Sequence, residues 1–259
     1  MKSQFDLSGK VALITGGNGG IGLGMAEGLA KAGCDLVIWG SNPTKNAAAE
    51  AKLKSLGVRV LAQRCDVSDE TQVDACFEEA VKSMGRVDGC FANAGVIQNP
   101  APLHELSSSE WRRVMSVNVD GAFFTLRAAA RHMVQRAKAG DAGGRLIGIA
   151  STAGIHGAAR TAAYGASKGA MLSFIRALAV EMARYKVTAN SILPGWIETD
   201  MTAGGIADQK FSGAVLPRIP ARRWGQGEDF SGIATYLMSD ASSYHTGDSL
   251  VIDGAYTIF

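Results

Sequence analysis

Short runs of β-forming apolar residues alternate with longer segments of helical periodicity along the whole chain. Seven of these runs indicate β-strands. They are Val11–Thr15, Leu36–Trp39, Val58–Gln63, Gly89–Ala92, Arg145–Ala150, Thr188–Leu193 and Ser249–Ile252.

The segments between the strands are amphipathic and predict helices. Three are well delimited, at Ile21–Ala32, Ala47–Leu56 and Thr71–Met84, and acidic residues precede the last of them, where the helix dipole favours negative charge. Parallel strands need a long right-handed crossover, and a helix between consecutive strands provides one. The pattern therefore predicts an α/β protein with a doubly wound, mostly parallel seven-stranded sheet, a Rossmann fold, with helices on both faces.

No proline- or serine-rich linker and no break in composition interrupts the alternation. Residues 1–259 are therefore expected to form one domain, which is an ordinary size for this fold class. The longest irregular stretch covers about residues 200–222. Segments of this kind often lie over a binding site, so we expect it to contact the substrate.

Charge and composition exclude several classes of function. The 26 basic and 24 acidic residues nearly cancel and form no run of one sign, so no nucleic acid is expected as a partner. No apolar stretch is long enough for a membrane span, and the first residues lack the apolar core of a signal peptide. The four cysteines have no paired C-x-x-C spacing, so no metal site is expected. A cytoplasmic protein acting on a small molecule fits best.

The first strand runs directly into Thr15-Gly16-Gly17-Asn18-Gly19-Gly20-Ile21-Gly22, and the first helix follows. A nucleotide pyrophosphate needs free backbone N–H groups at a helix start and a backbone without Cβ atoms. Gly17, Gly19 and Gly22 satisfy the G-x-G-x-x-G pattern in the required strand–turn–helix context. The turn therefore predicts a dinucleotide site; the alternative is a tight turn without a ligand.

The residues expected at the adenosine ribose do not clearly indicate whether the cofactor is NAD or NADP. The second strand ends in Gly40-Ser41-Asn42, with neither an acid for the ribose 2′-hydroxyl nor an arginine for a 2′-phosphate. Lys45 is near in sequence, but it would equally suit a solvent-facing position. Because a 2′-phosphate usually requires a positive charge, the sequence favours NAD over NADP.

Tyr164 and Lys168 are four residues apart in a predicted helix over residues 163–185, which places them on one face. The pKa of a free phenol, about 10, is too high for proton transfer at neutral pH. A neighbouring ammonium favours the phenolate and lowers that pKa. The pair therefore predicts a tyrosine that acts as an acid and base.

With further motifs in the expected order, the chain resembles the short-chain dehydrogenase/reductase family over essentially its full length. The matching residues are Thr15-Gly16-x-x-x-Gly20-x-Gly22, Cys65-Asp66-Val67, Ala92-Asn93-Ala94-Gly95, Val117-Asn118-Val119, Ser151 thirteen positions before Tyr164, and Pro194-Gly195-Trp196-Ile197-Glu198-Thr199. One departure is Ala92, which replaces the first asparagine of the family's N-N-A-G motif.

The resemblance implies the catalytic residues. Tyr164 exchanges the substrate proton, and Ser151 hydrogen-bonds the substrate oxygen. Lys168 lowers the Tyr164 pKa and holds the nicotinamide ribose, while Asn118 kinks its helix and fixes a water that relays protons to Lys168. The implied cofactor contacts, beyond Tyr164 and Lys168, are Gly16, Asn18, Gly19, Gly20, Ile21, Gly22, Ser41, Asn42, Asp66, Val67, Asn93, Ala94, Gly95, Pro194, Gly195, Ile197 and Thr199.

The implied function is an NAD(P)-dependent oxidoreductase that transfers a hydride between nicotinamide and a carbonyl or secondary alcohol, assembled as a homotetramer or homodimer. A reductase of 3-oxoacyl thioesters on an acyl carrier protein is one alternative, although Val180 stands where such enzymes often carry an arginine. A sugar or polyol dehydrogenase is another, and a non-catalytic nucleotide-sensing regulator is a third. Substrate selectivity is expected from Gln98-Asn99, Ile155-His156, Arg160, Trp196 and the 200–222 segment.

Overall fold

A computed structural model describes residues 3–259, and its strands form one seven-stranded sheet in the order β3-β2-β1-β4-β5-β6-β7. Every neighbouring pair is parallel. The strands are β1 (Val11–Thr15), β2 (Asp35–Gly40), β3 (Val60–Arg64), β4 (Gly89–Ala92), β5 (Gly144–Ile149), β6 (Val187–Pro194) and β7 (Ser249–Ile252). The predicted fold class is confirmed, and all seven predicted strands are present.

Helices cover both faces of the sheet. They are α1 (Gly20–Lys31), α2 (Pro43–Lys54), α3 (Glu70–Met84), α4 (Ser108–Met115), α5 (Gly121–Lys138), α6 (Ala162–Met182), α7 (Ala203–Ala207), α8 (Gln209–Val215) and α9 (Ser231–Met238). Within residues 3–259 none of these helices is long and apolar enough to cross a membrane.

Alternate residues of the buried strands contribute to two separate cores. Leu13 belongs to the core that contains side chains of α3, α5 and α6, whereas Ile14 belongs to the core under α1, α2 and α9. Successive side chains of a strand point to opposite faces, and a parallel sheet covered on both sides is therefore apolar at nearly every position. This explains why the strands read as continuous apolar runs.

Helix α2 begins four residues before the predicted start at Ala47. The side chain of Asn42 accepts a hydrogen bond from the Lys45 backbone N–H, and Pro43 occupies the first helical position. An asparagine cap followed by proline is a standard helix start. Residues 43–46 are polar, so the apolar periodicity alone missed the first turn.

The 200–222 segment was predicted as an irregular stretch, but it contains α7, α8 and a 3₁₀ turn at Leu216–Arg218. Its helices are only five and seven residues long. Val215 and Ile219 of this segment are buried together with Tyr256 near the C-terminus. The 200–222 segment is therefore folded, and it has a small apolar core of its own.

The strand order determines where a binding crevice can form. Going from β1 the chain first builds β2 and β3 to one side, and then returns to build β4 to β7 on the other. The crossovers after β1 and β4 therefore diverge and leave a crevice at the carboxyl ends of these strands.

Helix α1 is fixed beside this crevice by close packing on the turn Gly227–Phe230. A Cβ atom at Gly24 would overlap the carbonyl of Gly227. We expect Gly24→Ala to lower the free energy of unfolding by about 1–3 kcal/mol, because overpacking forces the two backbones apart.

Urea unfolding of both Gly24→Ala and Gly232→Ala would test this packing. Gly232 lies in α9, and a Cβ there would meet no atom within 4 Å. Gly232→Ala should leave stability unchanged or raise it by up to about 1 kcal/mol. Equal stabilities of the two variants would contradict the packing argument.

Candidate active site

A cleft of about 260 Å³ opens at the carboxyl ends of the central strands. It is lined by most of the residues that the resemblance implied for the cofactor, namely Gly16, Asn18, Gly19, Gly20, Ile21, Asn93, Ala94, Gly95, Pro194, Gly195, Ile197 and Thr199. Ser151, Tyr164 and Lys168 line the same cleft. Residues from five separate stretches of the chain therefore meet at one place.

The remaining predicted residues lie around the cleft. Ser41 and Asn42 are exposed after β2, and Asp66 is exposed after β3, where its carboxylate accepts hydrogen bonds from Ser68. Val67 is buried against Gly121 at the end of the same turn. Their contact with a nucleotide stays a prediction.

The glycine turn has the shape that a pyrophosphate requires. Gly16 and Gly20 have positive φ angles of 64° and 49°, and a Cβ at Gly22 would overlap the Gly16 carbonyl. A Cβ at Gly19 would meet open space, and α1 begins there without a side-chain cap. The first N–H groups of α1 are therefore free for an anion, and the turn fits a dinucleotide pyrophosphate.

Thr15 joins the two strands that flank the crevice, which sequence reasoning did not foresee. Its hydroxyl accepts hydrogen bonds from the backbone N–H groups of Asn93 and Ala94, both at 2.9 Å. The Asn93 side chain donates to the Thr15 carbonyl at 2.8 Å. The N-A-G motif thus fixes the end of β4 to the glycine turn.

The end of β2 is closed to any larger side chain. A Cβ at Gly40 would overlap the amides of Asn18 and Asn46, which bond to each other at 2.6 Å. This packing excludes a carboxylate side chain from position 40. Asn46 had no signal in the sequence, because it is a buried amide on a polar stretch of helix.

Lys45 faces the cleft entrance. Its ammonium lies 2.5 Å from the carboxylate of Asp200, which belongs to the cleft lining, so this ion pair connects α2 to the 200–222 segment. The Lys45 side chain is also half exposed, so the solvent-facing position and the ion pair with Asp200 occur together.

Tyr164 is half-buried beside Ser151. Burial raises the pKa of the Tyr164 phenol, and a hydrogen bond with the Ser151 side chain acts in the opposite direction. Ser151 follows β5 with its hydroxyl accepting from the Ala153 N–H at 3.1 Å. A short 3₁₀ turn therefore holds the serine next to the phenol.

Lys168 is almost fully buried, and its ammonium donates to the Ile149 carbonyl at 2.9 Å. It lies 5.6 Å from the centre of the Tyr164 ring, above its face. Burial lowers the pKa of Lys168 to about 8. Burial raises the pKa of Tyr164, which is opposite to the lowering expected from this ammonium.

Asn118 sits in a π-helical turn, Ser116–Asp120, between α4 and α5. The predicted helix irregularity is therefore present. The Asn118 amide pairs with both the N–H and the carbonyl of Val96, at 2.8 and 2.9 Å, and donates to Ser167 at 3.0 Å. These contacts fix the loop after β4 against α6, and the proton relay through a water stays a prediction.

Gln98 was expected to contact substrate, but its side chain is fully buried. Its amide donates to the Arg160 carbonyl at 2.9 Å and accepts from the Ala163 N–H at 2.8 Å. Arg160 has a positive φ of 68°, which is unusual for a residue with a side chain. Gln98 therefore holds the loop before α6 in shape and is not itself available to a substrate.

Metal-ligating side chains do not cluster within residues 3–259 in any group of three or more. The four cysteines are free, and burial raises the pKa of Cys34, Cys65, Cys76 and Cys90. No thiol nucleophile is present at the cleft, whose lining contains no cysteine.

The chain is similar to known proteins over nearly its full length. A family model described as enoyl-(acyl carrier protein) reductase matches residues 16–257. A 2-dehydro-3-deoxy-D-gluconate 5-dehydrogenase of Dickeya dadantii is 40% identical over 98% of both chains. A 3-oxoacyl-[acyl-carrier-protein] reductase of Chlamydia pneumoniae is 34% identical over 97% of this chain and 98% of its own.

Among solved structures, a gluconate 5-dehydrogenase from Burkholderia cenocepacia in complex with NADP and tartrate is 36% identical. It covers 98% of this chain and 97% of its own length, with a TM-score of 0.91. Because that relative binds NADP, the preference for NAD drawn from the sequence gains no support.

The depressed pKa of Lys168 predicts a pH-dependent stability. Between pH 8 and the ordinary lysine value of 10.5, the unfolded chain binds a proton that the folded chain does not. Stability therefore rises with pH in that window, by at most about 1.4 kcal/mol per pH unit, and not below it. Lys168→Met should lack this rise.

Urea unfolding of the wild type and Lys168→Met from pH 7.5 to 10.5 measures the difference. Lys138→Met, which removes an exposed lysine of α5, should follow the wild-type curve. Parallel curves for the wild type and Lys168→Met would show that the buried ammonium is not destabilised.

Proposed function

The chain belongs to the short-chain dehydrogenase/reductase family and is an NAD(P)-dependent oxidoreductase, and from this premise we propose that its substrate is a sugar acid. The reaction would interconvert a secondary alcohol and a ketone on a polyhydroxylated carboxylate such as D-gluconate. The observation that carries the proposal is the shared cleft of Ser151, Tyr164 and Lys168 beside the glycine turn, in a chain similar to dehydrogenases of gluconate type.

Tyr164, Ser151 and Lys168 each have a separate role in the reaction. When bound, the nicotinamide supplies the hydride acceptor or donor. Tyr164 takes the hydroxyl proton during oxidation and returns it during reduction. Ser151, already hydrogen-bonded to the phenol, donates to the substrate oxygen as negative charge develops on it. The Lys168 ammonium donates one N–H to the Ile149 carbonyl, and its remaining N–H groups would bind the ribose hydroxyls.

Two observations favour a sugar acid over an acyl thioester. The relatives of gluconate type reach higher identity than the 3-oxoacyl reductase does. Val180 of α6 is 83% exposed at the position where carrier-protein reductases often have an arginine for the acidic carrier. A non-catalytic regulator is disfavoured because the complete catalytic set is present.

For the cofactor we propose that NADP is accepted and that Lys45 binds its 2′-phosphate. Gly40 excludes an acid that would repel the phosphate, and Lys45 stands at the adjacent end of α2. Exchange of the Asp200 carboxylate for a phosphate keeps the ammonium paired. NAD binding needs no such exchange, so discrimination would be moderate.

For assembly we propose a homotetramer, or a homodimer. Apolar side chains are exposed on α5, α6 and β7, where Phe123, Val180 and Val251 are 40%, 83% and 40% accessible. Their burial between copies would remove apolar area from water. A cytoplasmic location is proposed from the four free thiols, which a reducing compartment preserves.

The function is tested with Tyr164→Phe. We expect kcat for oxidation of D-gluconate with NADP to fall by about 10²–10⁴-fold, because the ring remains but the proton acceptor is lost. The Kd for NADPH should stay nearly unchanged. Steady-state kinetics and a fluorescence titration measure the two quantities.

Tyr244→Phe is the matched control, since Tyr244 is fully exposed and should keep wild-type rates. The wild type is also assayed in reverse with 5-keto-D-gluconate and with an acetoacetyl thioester. A higher kcat/KM for the thioester would overturn the sugar-acid proposal, and a Tyr164→Phe variant of nearly normal rate would overturn the mechanism.

The role of Lys45 predicts a cofactor-specific effect. Lys45→Gln should raise KM for NADPH by about 3–10-fold, because an exposed charge pair contributes about 1 kcal/mol, and should leave KM for NADH unchanged. Lys52→Gln on the same helix is the control, since Lys52 pairs with Glu27. An equal change for both cofactors would contradict the assignment.

A further inference from the structure

Three segments of the chain meet at the ring of Tyr256. The imidazole of His156 lies 5.9 Å from this ring, centre to centre, and the guanidinium of Arg218 lies 4.9 Å from it. Trp196 meets the ring edge-on at 6.3 Å. We refer to His156, Trp196, Arg218 and Tyr256 as the Tyr256 cluster.

Two members of the Tyr256 cluster are close in sequence to residues that line the catalytic cleft. His156 follows Ser151 in the same loop, and its backbone N–H donates to the Thr152 carbonyl at 3.1 Å. Trp196 stands between Gly195 and Ile197, which both line the cleft. A substrate that extends from Ser151 and Tyr164 would therefore reach this cluster with its far end.

Tyr256 is well fixed. Its ring is 8% exposed, and the turn that carries it is held by Asp253, whose carboxylate accepts from the N–H groups of Ala255 and Thr257 at 2.9 and 2.8 Å. The Ala221 N–H donates to the Gly254 carbonyl at 3.2 Å and joins this turn to the 200–222 segment. The ring is thus a rigid support for the basic groups beside it.

Both basic groups have unused hydrogen-bonding capacity. The Nε2 atom of His156 is buried and has no hydrogen-bond partner, while Nδ1 lies 3.3 Å from the Gly157 carbonyl. Arg218 is exposed, and among the residues that the structure describes its guanidinium has no hydrogen-bond partner and no carboxylate within ion-pair distance, whereas Arg223 is paired with Asp229. A buried polar atom without a partner is costly, so a ligand or water is expected at this point.

An arginine stacked on an aromatic ring keeps its N–H edge free. The ring contacts the face of the guanidinium, and the planar fork of N–H donors remains available for a carboxylate. An imidazole N–H nearby supplies a further donor to the same group. This combination suits a planar anion with two oxygens better than a neutral hydroxyl.

We propose that Arg218 and His156, supported by the ring of Tyr256, bind the carboxylate of the sugar-acid substrate. The inference rests on the proposed function and names the part of the protein that recognises the acid end. With the carboxylate fixed there, the carbon chain of the substrate runs towards Ser151 and Tyr164. The carbon that reacts is then selected by its distance along the chain from the carboxylate.

The experiment measures binding without turnover. D-gluconate and uncharged D-glucitol are titrated by calorimetry into wild-type enzyme loaded with NADPH, a complex in which both partners are reduced and no reaction occurs. Arg218→Gln and His156→Leu should each weaken D-gluconate binding by about 10–100-fold, the range for hydrogen bonds to charged groups. D-glucitol binding should not change.

The double variant Arg218→Gln/His156→Leu tests whether both residues hold one carboxylate. If they do, its loss of affinity is smaller than the product of the two single losses, because the second substitution removes contacts to a group already released. Losses that multiply in full would overturn the shared site.

Lys210→Gln is the matched control. It removes one positive charge from the same segment, and Lys210 is exposed and lies outside the Tyr256 cluster. It should bind D-gluconate as the wild type does. A loss equal to that of Arg218→Gln would reduce the effect to general electrostatics and overturn the inference.

Two outcomes separate this inference from the proposed function. Wild type that prefers D-gluconate to D-glucitol, with unaltered preference in both single variants, would place the carboxylate elsewhere and leave the function intact. Wild type that neither binds nor oxidises D-gluconate, yet reduces an uncharged ketone, would overturn the proposed function and the carboxylate site with it.

Discussion

The hydrogen bond from the buried Lys168 ammonium to the Ile149 carbonyl is the contact on which the site depends. It joins α6 to the end of β5 and holds a charge where burial disfavours it. The residues packed around Lys168 are constrained by its position. A Cβ at Gly95 would press on Asn118 Oδ1 at 3.2 Å and on Lys168 Nζ at 3.5 Å. The glycine of the N-A-G motif, the π-helical turn of Asn118 and the lysine therefore form one packed unit. Burial of this charge is unfavourable in free energy, but it places an ammonium beside the phenol and the position predicted for the ribose.

Most of the fold could be predicted from sequence because a buried parallel sheet leaves a strong signal. Strands β1, β4 and β7 have the predicted limits, and the other four strands differ by one or two residues at their ends. The failures have a common physical cause. Gln98, Asn46 and Thr15 act through hydrogen bonds between residues that are distant in sequence, and polarity alone does not distinguish such a side chain from one that meets a ligand. The sequence therefore predicts a substrate contact for Gln98, which is buried, and it does not indicate the hydrogen-bonding roles of Asn46 and Thr15.

The candidate site divides in the same way. The cleft-lining residues were foreseen through the resemblance, since their motifs follow one another in fixed order. The electrostatic balance could not be foreseen, because it depends on burial. The sequence suggests that Lys168 lowers the pKa of Tyr164, but desolvation acts on both groups and raises the phenol pKa. A positively charged nicotinamide ring beside the phenol would favour the phenolate. Proton transfer is in that case coupled to cofactor binding, and the protein alone does not hold a reactive base.

Two basic side chains contact the 200–222 segment or belong to it: Lys45 is paired with Asp200 of the cleft lining, and Arg218 is stacked on Tyr256. Exposed ion pairs contribute about 1 kcal/mol or less, so the Lys45 pair cannot determine where the segment lies. Its position is set by apolar burial, since Val215, Ile219 and Tyr256 form a small core that is less than a tenth exposed. A recognition group has to be placed by rigid packing before the ligand arrives. Arg218, adjacent to Ile219 in sequence, meets that condition, whereas Lys45 is free to exchange its partner. The two basic residues thus suit the different roles proposed for them, Arg218 in substrate recognition and Lys45 in the binding of either cofactor.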